Sequence, residues 1–120
     1  MTSKPLLRPK RGGLYCRAGD FYIDPQRPVE RAVITHAHAD HARPGHGTYF
    51  AARPGVDILE RRVGTDETPP AIHALEWGEP VRFEDVEVTL HPAGHMLGSA
   101  QVRVEADAPE RDVWVVSGDY

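Results

Sequence analysis

Glycine and proline cut this chain into short apolar runs, and that punctuation limits it to a fold of many strands with few helices. The runs cover residues 14–16, 21–23, 32–34, 49–51, 72–75, 81–83, 86–90, 101–104 and 113–116. Val86, Val88 and Leu90 alternate with Glu87 and Thr89, the period of a half-buried strand, and Val102 and Val104 repeat it. Gly78-Glu79-Pro80 and Glu84-Asp85 predict turns joining antiparallel neighbours. Residues 54–63 predict a helix: Val56, Leu59 and Val63 fall at i, i+3 and i+7, Pro54 suits the first turn and Gly64 the C-terminal cap. A second, short helix is expected from about Ala39 to just before Pro44. The 120 residues have the length of one domain, in a mixed α/β arrangement.

Chemistry concentrates in one place. The apolar strand Ala32-Val33-Ile34 runs through Thr35 into His36, His38, Asp40 and His41. His36 and His38 are two apart, so in extended backbone they project to one side and can grip one ion. Asp40 and His41 follow where the chain should turn into a helix, which aims them elsewhere. One loop can thus serve two ions with neutral imidazoles and a hard carboxylate, a mix suiting zinc first and manganese or iron after it. Ala37, Ala39 and Ala42 leave the backbone room to approach the ions. A solvent-exposed histidine-rich loop without metal explains this clustering poorly.

Other features mainly exclude. Cys16 is the single cysteine, so an intrachain disulfide and a thiolate metal cage are ruled out. No run approaches the roughly 20 apolar residues that span a bilayer. The basic start, MTSKPLLRPKRGG, lacks an apolar signal core, which makes the cytoplasm the default expectation. A formal charge of −4 gives no general argument for nucleic acid. Lys4, Arg8, Lys10, Arg11 and Arg17 do cluster, a pattern more often belonging to a solvated tail than to a phosphate-binding surface.

His-x-His-x-Asp-His after an apolar strand resembles the second motif of the metallo-β-lactamase superfamily. Later segments agree in order: His95, within His91-Pro-Ala-Gly-His-Met-Leu-Gly-Ser-Ala-Gln101, matches the third motif, and Asp119, ending Val113-Trp-Val-Val-Ser-Gly-Asp119, matches the fourth. Phe21-Tyr-Ile-Asp24 resembles the first motif, an Asp that orients the histidine loop from behind; Asp20 is a weaker candidate. Gly94-His95-Met96-Leu97-Gly98-Ser99 is similar to the Gly-His-x-x-Gly-Ser form of the β-CASP nucleases. Residues 13–25 with 36–46 look like the bacterial DNA ligase-associated exonucleases, a resemblance running from about Leu7 to Tyr120.

The resemblance implies an αββα sandwich of α+β class, of which residues 1–120 are the N-terminal portion, the β-CASP insertion and C-terminal half being absent. It implies two zinc ions, with His36, His38 and His95 on the first, Asp40 and His41 on the second, and Asp119 bridging. Asp40 and Asp119 would be the catalytic carboxylates, and Asp24 would stand behind the ligands. The implied activity is phosphodiester hydrolysis at DNA or RNA ends, beside DNA ligase and helicase partners. The 120 residues alone would be inactive, because the missing half completes the site. Rival readings are a lactonase- or thioesterase-like hydrolase of small molecules and a metal-binding fragment without activity.

Remaining residues take plain readings. Thr35 is divided between supporting the loop with Asp24 and packing in its strand. Ser99 is divided between phosphate contact and a loop-stabilising hydrogen bond. His46 is expected to be a loop residue without a catalytic task, His91 a strand-end residue and His73 a satisfied half-buried histidine. Trp77 and Trp114 are expected to pack.

Overall fold

The computed structural model describes residues 6–10, 13–36, 42–64, 70–93, 99–107 and 112–117. Its strands form two sheets. The first takes β1 (Leu7–Lys10), β2 (Gly13–Cys16), β3 (Phe21–Ile23), β4 (Arg31–Val33), β5 (Thr48–Ala52) and β6 (Ile72–Leu75) in chain order. β1, β2 and β3 pair antiparallel, whereas β3 to β6 run parallel. The second sheet orders β10 (Val113–Ser117), β9 (Ala100–Ala106), β8 (Val86–Pro92) and β7 (Val81–Phe83), all antiparallel.

Alternation within the strands explains why the sheets stack. Cys16, Phe21, Ile23 and Val33 from one sheet share a core with Phe83, Val86, Val88, Leu90, Val102 and Val104 from the other. Phe83 sits at its centre, with ring centroids 4.8 Å from Phe21 and 4.7 Å from Phe50. The intervening residues of the first sheet face outward, where α1 (Val56–Val63) covers Ala32, Ile34, Tyr49 and Ala51 with Leu59 and Val63. The architecture is mixed α+β, mostly sheet, with one short α-helix among the described residues.

The helix follows the expectation with one adjustment: residues 53–55 form a 3-10 turn and the α-helix begins at Val56. Gly64 caps it, its N–H donating to the Glu60 carbonyl. Its φ of −78° is open to any residue. Space is what demands glycine, since a Cβ there would stand 2.5 Å from the Glu60 carbonyl oxygen.

Several expectations need correcting. Glu84-Asp85 does join antiparallel neighbours, β7 and β8, but the turn at Gly78 carries the chain from β6 in one sheet to β7 in the other. Both turns hold a residue at positive φ, Gly78 and Glu84, and only packing decides which strands become neighbours. Residues 42–44 are not helical, and the start of that expected helix lies outside the described residues. His73 is exposed on edge strand β6, stacked on Phe50 at 5.2 Å. Trp77 packs on the inter-sheet core, but Trp114 is 38% exposed on edge strand β10. Arg8 and Lys10 belong to a regular strand and not to a solvated tail.

Candidate functional site

Parallel pairing of β3, β4 and β5 brings their C-terminal ends to one edge of the first sheet, where loops bearing function usually gather. The chain leaves β3 through Asp24, whose N–H donates to the Val33 carbonyl at 3.0 Å. Asp24 has φ +47°, a left-handed conformation that costs a non-glycine residue roughly 1–3 kcal/mol. That conformation accompanies a two-pronged contact. Asp24 Oδ1 accepts the Thr35 N–H at 2.8 Å, and Oδ2 accepts the Thr35 hydroxyl at 2.6 Å. Charge-assisted bonds of this kind offset such strain. Thr35 is fully buried and His36, the next residue, is 4% exposed, so the brace acts directly behind the first imidazole.

The second sheet meets the first at the same residue. Ala100 N–H donates to the Thr35 carbonyl at 2.7 Å. Ala100 pairs with Pro92 across β8 and β9, Ala93 N–H reaches the Ser99 carbonyl at 2.9 Å, and Ser117 of β10 pairs with Gln101. Backbone from four strand ends therefore converges on one edge. Among the described residues, Ser99 Oγ is buried there without a hydrogen-bond partner.

His46 holds the rim. Its Nδ1 accepts the Val29 N–H at 3.1 Å, so in the neutral ring Nε2 carries the proton. Burial pushes its pKa below the ordinary histidine value, and the Pro25 carbonyl opposes that shift without reversing it. The ring lies 5.1 Å from Tyr49, whose hydroxyl donates to the Arg43 carbonyl. Gly47 closes the turn, because a Cβ there would come within 2.7 Å of the Glu30 carbonyl oxygen. Loops 24–30 and 42–47 are thereby tied together. In the sequence its one signal is a histidine flanked by two glycines, Gly45 and Gly47.

Of the expected ligands and the carboxylate behind them, His36 and Asp24 are described, linked through Thr35, which Asp24 binds and His36 follows. His38, Asp40, His41, His95 and Asp119 lie outside the described residues. Among the described residues, no group of three or more His, Cys, Asp or Glu could hold a metal ion. Asp20 faces elsewhere, accepting the Tyr15 hydroxyl at 2.9 Å. Cys16 is fully buried between the sheets, where burial raises its thiol pKa. No described helix is long and apolar enough to cross a membrane.

The fold is that of the metallo-β-lactamases. A subclass B3 metallo-β-lactamase with an active-site glutamic acid superposes at TM-score 0.55 with 18% identity, over 94% of this chain and 57% of that one. One isolated from a soil metagenome library gives 0.56 and 18%, over 88% and 55%. A third, from Bradyrhizobium japonicum, gives 0.53 and 17%, over 91% and 52%. Among curated proteins, a probable DNA ligase of Opitutus terrae is 32% identical over 109 residues, which are 90% of this chain and 10% of the ligase. The chain thus spans about half the length of its structural neighbours and a tenth of that relative. No family model matches it.

Proposed function

We propose that these residues form the metal-binding half of a metal-dependent phosphodiester hydrolase, an exonuclease trimming DNA ends in ligase-associated repair. The observation that carries this reading is the Asp24–Thr35 brace directly behind the buried His36. A carboxylate locking the backbone before a ligand-bearing loop is the kind of support that metal centres need. Convergence of the strand ends leading to residues 95 and 119 supports the same reading. The relative named as a DNA ligase favours a nucleic-acid substrate over a lactone, thioester or lactam. The lactamase neighbours share the fold and do not bear on substrate.

The donor set fits divalent cations: imidazoles with hard carboxylates, no thiolate available, and one orphaned hydroxyl, Ser99 Oγ, at the converging edge. In this proposal His36, His38 and His95 would hold one ion and Asp40 and His41 the other, with Asp119 shared. Bound cations would supply Lewis-acid stabilisation of charge on the phosphoryl oxygens and acidify water at neutral pH. Asp24 holds Thr35, and through it sets where the His36 ring emerges. His46 and Tyr49 keep the loop beyond the ligands in place.

Residues 1–120 would be completed by further chain or a partner, as their span of about half the neighbours' length suggests. Alone they are expected to be inactive. The test incubates the full-length protein with end-labelled DNA and, separately, with chromogenic esters and lactams. Metal-dependent release of nucleotides, abolished by Asp40→Ala, is the expected result. Ester or lactam turnover with intact DNA would establish the rival hydrolase instead.

A further inference from the structure

We infer that the outward face of β1–β3 is a docking strip for single-stranded nucleic acid, distinct from the ligand loop; the inference rests on the nuclease reading. Register puts Arg8, Tyr15 and Tyr22 in one row, since Arg8 pairs with Tyr15 and Tyr15 with Tyr22. Lys10, two residues after Arg8, shares their face. The inward neighbours Leu7, Cys16, Phe21 and Ile23 fill the core, so this face points away from it. Arg8 and Lys10 are exposed, and both tyrosines are half-buried. The Tyr15 and Tyr22 ring centroids are 4.7 Å apart, and Lys10 Nζ lies 4.3 Å from the Tyr15 ring. Aromatic faces interleaved with cations on a sheet are what an unpaired strand needs, with bases stacking on rings and phosphates meeting ammonium and guanidinium groups.

Charge and position favour this occupant. The protein is acidic overall at −4, yet no carboxylate belongs to the row Arg8, Lys10, Tyr15 and Tyr22. Asp20 accepts the Tyr15 hydroxyl from the turn at the far end and stands 3.8 Å from the Arg31 guanidinium. The cationic end lies toward the candidate site. Lys10 pairs with Gly13, and the Cβ position of Gly13 is 3.0 Å from the Cα of Pro25, which follows Asp24. At strand spacings of about 4.8 Å, β2 lies roughly 10 Å from β4, close enough for one strand to cross both.

The test measures anisotropy of a fluorescent oligo(dT) with the full-length protein in EDTA, which spares the probe from cleavage. Arg8→Gln/Lys10→Gln is expected to weaken binding and lower the salt slope by about 1.4, since each single-strand phosphate contact contributes about 0.7. Tyr22→Leu keeps apolar bulk without the ring, and is expected to weaken binding roughly tenfold. Matched thermal melts exclude misfolding as the cause. Hydrolysis of a small phosphodiester too short to reach the strip should be unchanged in all variants. Unaltered affinity and salt slope in the folded variants would overturn the strip and leave the nuclease reading intact. So would a wild-type protein that ignores oligo(dT), or one that binds phosphatidylserine vesicles through these residues. Loss of small-diester hydrolysis in the wild type would instead count against the nuclease reading.

Discussion

At the scale of single residues, Asp24 combines an unfavourable backbone with two strong bonds to one neighbour. Asp24→Ala removes both acceptors and leaves the buried Thr35 hydroxyl and N–H without them. A stability loss of about 2 kcal/mol is expected in urea titration, with metal affinity of the full-length protein falling roughly 10- to 100-fold. His46 gives a pH signature. Its folded-state pKa lies below the ordinary value, so the unfolded chain takes up the proton first as pH falls. The stabilisation is therefore complete above about pH 6.5 and is lost as pH drops through the lowered folded-state value. Melting temperatures compared at pH 7.5 and 5.5 should show this drop, and His46→Asn should flatten it. Sequence had pointed at Asp24 through its motif but left Thr35 divided between two tasks, because nothing local says where a hydroxyl points.

At the scale of elements, alternation made the strands legible: Val86, Val88 and Leu90 are all fully buried, while Glu87 is exposed. The helix over 56–63 was equally legible from its apolar spacing and terminal glycine. Pairing was not, as the two similar turns at Gly78 and Glu84-Asp85 show. Which strands oppose each other depends on contacts such as Phe83 against Phe21 and Phe50, made by residues far apart in the chain. Phe83→Ala opens a cavity where both sheets meet and should cost about 3–5 kcal/mol. A chemical denaturation midpoint close to wild type would show that the sheets are held otherwise.

Across the whole molecule, one sheet edge stands out. β10 is an edge strand exposing Val113 (47%), Trp114 (38%) and Val115 (57%). Unpaired edge strands with apolar side chains promote association. The isolated 120 residues are expected to self-associate in sedimentation velocity, and Trp114→Lys/Val115→Lys should shift them toward monomer. A monodisperse monomer at high concentration would show that this edge is tolerated as it stands.

Spacing over a few residues was enough to mark which segments extend and which one coils, because alternation and helical period are local properties. Only the tertiary structure decided that a carboxylate from the end of β3 clasps Thr35 beside His36, that the second sheet meets the same residue through Ala100, and that basic and aromatic residues of β1–β3 share one open face. Each of those depends on register and sheet order, set by burying apolar surface from distant parts of the chain at once.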